Sequence, residues 1–128
     1  MKLLLDTHIF LWFISADLRL SILFRDIIKE PNNTIFLSVA SVWEIIIKYN
    51  LGKLPLPQSP EIYIPRQRQL HRIKSLPISE SSLKNLASLP DLHRDPFDRI
   101  LISQALTSNL TLVTVDPEIV RYNVPFLK

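Results

Sequence analysis

Hydrophobic positions along this chain follow two spacings, one typical of buried strands and the other of helices. Short continuous apolar or β-branched runs predict strands at 1–5, 34–37, 73–78 and 111–115, and an edge strand at 124–127. Apolar spacings of three and four predict helices at 7–17, 18–30, from Ser38 or Ser41 to 50, 61–70, 79–89 and 96–107. Strands that alternate with helices predict an α/β class, here a three-layer α/β/α fold with a central, mainly parallel sheet.

Proline, glycine and asparagine mark several boundaries between these elements. Pro31 opens a turn, and Gly52, the single glycine, lies just past the third helix. Pro65 is expected to interrupt or shift the helix at 61–70, because proline lacks the amide proton that a helix interior needs. With 128 residues and no visible internal repeat, the chain is expected to form one domain, 1–128.

The charge balance changes this picture only slightly. The net charge is +3 and the isoelectric point is near 9.4, which alone is weak support for a nucleic-acid partner. The excess is concentrated at 66–74, a segment without acids. It holds Arg66, Arg68, His71, Arg72 and Lys74. This segment is either a solvated helix face or a surface for phosphates or an acidic partner.

The composition also excludes some classes of protein. The absence of cysteine rules out disulfides and thiolate zinc sites, and it suits a reducing cytoplasm. Asp6 breaks the first apolar run too early for a secretory signal, and no run has the length of a membrane helix. We therefore expect a cytoplasmic protein with no membrane association.

Four acids occupy positions that a parallel sheet would bring together. Asp6 directly follows the first strand, and Asp116 directly follows the strand at 111–115. Glu44 lies about one turn into the helix after the second strand, and Asp98 lies in the first turn of the helix at 96–107. In such sheets the working site lies beyond the carboxyl ends of the strands. The four acids are therefore expected to face one crevice.

Four neighbouring carboxylates cannot all remain ionised unaided, because each raises the pKa of the others. A divalent cation resolves this conflict, and oxygen ligands without thiolates favour Mg²⁺ or Mn²⁺. One or two such ions can activate water and stabilise the leaving oxygen in hydrolysis of a phosphodiester. The predicted chemistry is therefore metal-dependent cleavage of phosphodiester bonds.

Each acid also has an ordinary structural interpretation. Asp95 before Pro96 has the pattern of a helix N-cap, and Asp98 three residues on could be only its capping-box partner. Glu44 could simply pair with Lys48 one turn later. Asp6 and Asp116 could be turn residues. We favour capping over metal ligation for Asp95 and metal ligation over capping for Asp98.

The remaining polar residues near these acids give weaker signals. Thr7 and Thr114 could orient a carboxylate or a metal-bound water. The histidines lack the spacing of metal ligands: His8 is expected in the core or beside Asp6, and His93 in an ordinary loop or against phosphate. The chain has no glycine-rich phosphate loop.

Five motifs, in order along almost the whole chain, resemble those of PIN-domain proteins. More narrowly, they resemble those of the toxin ribonucleases of VapBC-type toxin–antitoxin systems. The motifs are LLLDTH at 3–8, SVWEI at 41–45, GKL at 52–54, HRDPFDR at 93–99 and LVTVD at 112–116. LLLDTH alone is a weak signal, but the set of five, with WEI and DPFDR among them, is highly specific, and DPFDR is similar to the motif of one subgroup.

The resemblance implies a Mg²⁺- or Mn²⁺-dependent endoribonuclease whose catalytic and metal-binding acids are Asp6, Glu44, Asp98 and Asp116. It also implies a homodimer and a small cognate antitoxin that blocks the site. The candidate RNA contacts, taken from the basic segment 66–74 and from the residues around Asp95 and Asp98, are Arg66, Arg68, Arg72, Lys74, Arg94 and Arg99. The alternatives are an RNA-processing nuclease that is not a toxin, or a catalytically silent RNA- or partner-binding module of the same fold.

Overall fold

The computed structural model describes residues 1–127, which form five strands and six helices. In chain order these are β1 (Lys2–Leu5), α1 (Thr7–Ile14), α2 (Ile22–Lys29), β2 (Thr34–Ser38), α3 (Val39–Asn50), α4 (Pro60–His71), β3 (Ile73–Leu76), α5 (Glu80–Ser88), α6 (Pro96–Ser108), β4 (Thr111–Val113) and β5 (Phe126–Leu127). Within this described part, no helix is long and apolar enough to cross a membrane.

The strands form one sheet in the order β3-β2-β1-β4-β5, and every described pairing is parallel. Strand β1 is central, with Leu3 in register with Ile35 of β2 and with Thr111 of β4. The predicted α/β class and central parallel sheet are therefore confirmed. Because all strands run in one direction, their carboxyl ends share a single edge of the sheet.

Two apolar clusters cover opposite faces of this sheet. Leu3 and Leu5 of β1 pack into one cluster with residues of helices α1 to α4, whereas Leu4 packs into the other with Leu101 and Ile102 of α6. Successive side chains of a strand point to opposite faces, so the three consecutive leucines serve both clusters. The result is the predicted three-layer arrangement.

Helix α2 begins at Ile22 and not at Leu18. The Ser21 hydroxyl accepts a hydrogen bond from the Phe24 amide, and this N-cap fixes the start of the helix. Leu18 is 97% exposed in the preceding turn, so the apolar spacing at 18–20 extended the prediction too far.

Helix α4 runs without a break from Pro60 to His71, so the expected interruption at Pro65 is wrong. Pro65 and Glu61, four residues earlier, are both exposed, so water can serve the carbonyl that has lost its helical hydrogen bond. Strand β4 is also shorter than predicted and ends at Val113. Asp116 consequently lies three residues past the strand and opens a helical turn. The Ile119 amide closes this turn by donating a hydrogen bond to the Asp116 carbonyl.

Candidate active site

Asp6 lies at the carboxyl end of the central strand, where its side chain is almost fully buried. It occupies the N-cap position of α1, yet its carboxylate accepts no capping hydrogen bond. The Thr114 hydroxyl instead donates to Asp6 Oδ2 across 2.9 Å. The carboxylate is therefore aimed along the sheet edge towards the segment that follows β4.

Thr114 also organises Asp116. The Asp116 amide donates to Thr114 Oγ1 at 3.0 Å, and Asp116 Oδ1 accepts from the Glu118 amide at 2.9 Å. These contacts define the turn after β4 and leave Asp116 Oδ2 facing the crevice, 3.5 Å from His93 Nε2. The predicted orienting role of Thr114 thus has a specific geometry, with one hydroxyl linking two of the four acids.

Glu44 is buried in α3 with 3% of its surface exposed. Its Oε2 pairs with Lys48 Nζ at 2.7 Å, which is the predicted contact between residues four apart. Its Oε1 is buried and has no hydrogen-bond partner among residues 1–127. A buried carboxylate oxygen without a partner is costly, and a cation would satisfy it. The pairing with Lys48 and a role as a metal ligand are therefore compatible.

Asp95 caps α6, as the sequence predicted. Its Oδ1 accepts from the amides of Phe97 at 2.9 Å and Asp98 at 3.4 Å. In a complete capping box the Asp98 carboxylate would accept from the Asp95 amide. Here the Asp95 amide donates to His93 Nδ1 at 3.4 Å instead. Asp98 is thereby released from capping, and its carboxylate turns to His93.

His93, which the sequence placed in an ordinary loop or against phosphate, lies between two of the acids. Its Nε2 lies 2.9 Å from Asp98 Oδ2, and one ligand atom from each of His93, Asp98 and Asp116 lies within 4.8 Å of the others. No local spacing signals this group, because its members come from a loop, a helix and the turn after β4. The only available signal was the position of His93 five residues before Asp98, just outside the helix.

Burial and the neighbouring acids raise the pKa values of Asp6 and Asp98. Burial raises the pKa of Asp6, with a further increase from Asp116, against the hydrogen bond from Thr114. Burial, followed by repulsion from Asp6, Asp95 and Glu44, raises the pKa of Asp98 from 3.8 to about 7. The predicted convergence of acids in one crevice is therefore present, and Asp95 contributes to its negative field.

A cation of the protein partly balances this field. Burial alone would lower the pKa of Lys48, but its bond to Glu44 and the charges of Asp95 and Asp98 raise it overall. Lys48 therefore lies within the field of three acids from two helices. A divalent ion would suit this donor set, which consists of carboxylate oxygens, one of them unpartnered, and a nearby imidazole.

Thr7 has a different position from the one predicted. Its buried hydroxyl donates to Ser41 Oγ at 2.9 Å, so it joins α1 to α3. Ser38, not Ser41, is the N-cap of α3: its hydroxyl accepts from the Ala40 amide and donates to Gln104 Oε1 at 2.6 Å. The first contact joins α1, which Asp6 precedes, to α3, which carries Glu44, and the second joins the start of α3 to α6.

The candidate RNA contacts fall into two groups. Arg66 and Arg68 lie in the second half of α4, Arg72 immediately precedes β3 and Lys74 lies within it. This half of α4 leads to the amino-terminal edge of the sheet, so the fold does not bring the segment 66–74 to the acids at the opposite edge. The isolated basic run in the sequence gave no information about which edge it would occupy.

Arg94 and Arg99 are close to the acids in the chain, but only Arg99 has a hydrogen bond from its side chain among residues 1–127. Arg94 is exposed beside His93. Arg99 Nη1 donates to the Pro90 carbonyl at 3.0 Å and to Tyr122 Oη at 3.1 Å, so it anchors the loop that precedes α6. Of the six predicted RNA contacts, Arg94 is therefore the best placed to bind a phosphate near the acids.

Comparison with known proteins places this architecture in a family. The model of the PIN domain family matches residues 3–125. The chain belongs to the PIN domain family. A 55-residue stretch is 44% identical to Ribonuclease VapC16 of Mycobacterium tuberculosis and covers 43% of this chain, but only 38% of the length of that relative.

Solved structures show the same fold at low sequence identity. The VapBC2 structure from Rickettsia felis, bound to a DNA fragment from its promoter, matches with a TM-score of 0.73 and 20% identity over 99% of this chain and 98% of the other. VapBC-1 from nontypeable Haemophilus influenzae matches with a TM-score of 0.69 and 20% identity over 100% and 98%. The PIN-like fold predicted from the motifs is thereby confirmed.

Proposed function

We propose that this protein is a metal-dependent endoribonuclease. The proposal is carried by the convergence of buried acids at one sheet edge, where the pKa of Asp98 is raised to about 7 and Glu44 Oε1 has no partner among residues 1–127. A catalytically silent binding module gains nothing from carboxylates that repel one another, whereas a nuclease uses such carboxylates to bind a cation. Membership of the PIN family and the likeness to a relative named as a ribonuclease support the same activity.

Asp6, Glu44, Asp98 and Asp116 would hold Mg²⁺ or Mn²⁺. When bound, the ion supplies activation of water and stabilisation of charge on the phosphoryl oxygens. The Thr114 hydroxyl keeps Asp6 oriented, and Lys48 limits the repulsion at Glu44. Exposed Arg94 provides a positive charge for the phosphate backbone at the mouth of the site.

The toxin role belongs to the same proposal. The structural neighbours are VapBC complexes, and we infer that this chain likewise has a small cognate antitoxin, forms a homodimer and acts in the cytoplasm. A cleft of about 730 Å³ beside the site is lined by the rings of Trp12 and Tyr63 and by the cation Lys53, together with Arg19, which pairs with Asp17 of the same cleft. Such a cleft suits a peptide with apolar and acidic side chains.

Cleavage of RNA by purified protein tests the activity. We expect cleavage with Mg²⁺ or Mn²⁺ and none in EDTA. Asp6→Asn, which keeps the shape of the side chain but removes its charge, should abolish cleavage while circular dichroism and thermal unfolding show an intact fold. Equal cleavage in EDTA, or by wild type and Asp6→Asn alike, would contradict the metal mechanism.

Expression in cells tests the biological role and the substrate together. We expect growth arrest that Asp6→Asn removes and that a small protein encoded nearby relieves. Sequencing the new RNA ends identifies the RNA and the cleavage site. Harmless expression of an active enzyme would instead favour RNA processing.

A further inference from the structure

The loop that carries His93 is anchored by hydrogen bonds to the side chains of Tyr122 and Arg121. Tyr122 Oη accepts from the amides of Leu92 at 3.1 Å and His93 at 2.9 Å, and from Arg99 Nη1 at 3.1 Å. Arg121 Nη1 also donates to the Leu92 carbonyl at 3.3 Å. Tyr122 is itself buried in the apolar cluster on the α6 face of the sheet. The backbone of His93 is therefore fixed by the core and not by the acids.

The imidazole has a defined donor and acceptor. The Asp95 amide lies 3.4 Å from Nδ1, a contact that favours the neutral tautomer in which Nδ1 accepts and Nε2 carries the proton. Nε2 therefore donates to Asp98 Oδ2 at 2.9 Å and lies 3.5 Å from Asp116 Oδ2. The ring is largely buried, with 16% of the side chain exposed, so water competes weakly for this contact.

We propose that His93 is a positioning residue of the metal site: its Nε2–H donates to Asp98 Oδ2 and holds this carboxylate beside Asp116, whose Oδ2 lies 3.5 Å from the same nitrogen, in the orientation that binds the cation. This inference rests on the proposed function. Hydrogen bonds to ligating carboxylates orient them, and their loss commonly lowers metal affinity by about 10- to 100-fold. Asp98 and Asp116 come from α6 and from the turn after β4, and among the ion pairs of residues 1–127 only those of His93 reach both carboxylates.

Two other roles for His93 predict different results. As a direct ligand it would need a free lone pair at Nε2, but the Asp95 amide favours the tautomer that has a proton there. As a competing cation, His93 would weaken metal binding, and its removal would tighten it. Positioning alone predicts weaker binding on removal and rescue by another N–H donor.

The test is Mn²⁺ affinity, measured from the electron paramagnetic resonance signal of the free ion. His93→Leu removes the donor and should weaken binding by about 10- to 100-fold, as loss of an orienting contact does. His93→Gln supplies an N–H near the same place and should restore most of the affinity. His71→Gln is the matched control, because His71 ends α4 next to Phe13, away from the four acids, and it should bind as the wild type does.

Thermal unfolding in EDTA shows whether each variant folds. If His93→Leu fails to fold, Tyr122→Phe carries the test, because it keeps the buried ring and removes the oxygen that anchors the loop. This variant should also weaken Mn²⁺ binding. Unchanged affinity in the variant that folds would overturn the inference.

Three further results would also overturn it: tighter binding by His93→Leu, affinity that His93→Gln fails to restore, or a direct ¹⁴N coupling to Mn²⁺ that is present in the wild type and lost in His93→Leu. The last would make His93 a ligand and leave the metal site intact. Failure of the wild type to bind Mn²⁺ would instead overturn the metal site and this inference together.

Discussion

Thr114 Oγ1 donates to Asp6 Oδ2 across 2.9 Å, although the two residues are 108 positions apart in the chain. The contact joins the ends of neighbouring strands β1 and β4, and the same hydroxyl accepts from the Asp116 amide. One buried hydroxyl therefore sets the geometry of two acids. A substitution at Thr114 can therefore perturb both acids without removing a charge.

Thr114→Val should lower both stability and RNA cleavage. It replaces the hydroxyl by a methyl group of similar size and leaves Asp6 Oδ2 and the Asp116 amide without their partner, which costs about 1–3 kcal/mol. Thr114→Ser keeps the hydroxyl and should remain close to wild type. Denaturant unfolding and cleavage rates at limiting Mg²⁺ measure the two effects. Equal behaviour of the Val and Ser variants would contradict a role for this hydrogen bond.

Lys48→Met should make the protein more dependent on a divalent cation. The change removes the partner of Glu44 Oε2 at 2.7 Å and leaves a buried carboxylate without compensation. We expect a loss of about 1–3 kcal/mol of unfolding free energy in EDTA, most of which Mg²⁺ restores. Lys53→Met is the control, since Lys53 is exposed beyond the end of α3. An equal loss with and without Mg²⁺ would argue against a cation near Glu44.

The stability of the metal-free protein should fall as pH rises from about 4 to 7. Burial and neighbouring acids raise the pKa of Asp98 from 3.8 to about 7, so the folded state binds more protons than the unfolded state in this interval. Ionisation above it adds repulsion that a divalent cation offsets. The rise in melting temperature on adding Mg²⁺ should therefore be larger at pH 8 than at pH 5.

Asp98→Asn provides the control for this pH dependence. The amide cannot ionise, so the variant should show a shallower pH slope in EDTA and a smaller stabilisation by Mg²⁺. Calorimetry or thermal melts across the pH range measure both quantities. A slope equal to that of the wild type would assign the effect to another group.

Asp95 offers a test that separates capping from catalysis. Asp95→Ala should lower the unfolding free energy by about 1 kcal/mol, because the amides of Phe97 and Asp98 lose their acceptor. Asp95→Asn keeps a capping oxygen and should spare both stability and cleavage. Loss of cleavage in both variants, with stability unchanged, would instead make Asp95 a metal ligand.

Local chemistry fixed the elements and much of the site. The apolar run Leu3 to Leu5 favours a buried strand and Asp95-Pro96 favours the start of a helix, so the sequence predicted that Asp6 ends a strand and that Asp98 lies in the first turn of a helix. The errors at Leu18 and Pro65 have the same origin. Apolar spacing and the rules for proline describe average helices, whereas a Ser21 cap and an exposed position decided these two cases.

The sequence by itself determined the alternation of strands and helices, the acids at the strand ends and the family. Only the tertiary structure decided what lies between those acids. His93 and Thr114 enter the site through contacts between separate elements, which no spacing along the chain encodes, whereas Lys48 pairs with Glu44 in the same helix, as their spacing predicted. The basic segment 66–74 shows the converse, because its composition suggested a phosphate surface but the direction of β3 places it at the opposite edge. Period and composition are local properties, whereas proximity depends on how the parallel sheet orders its strands.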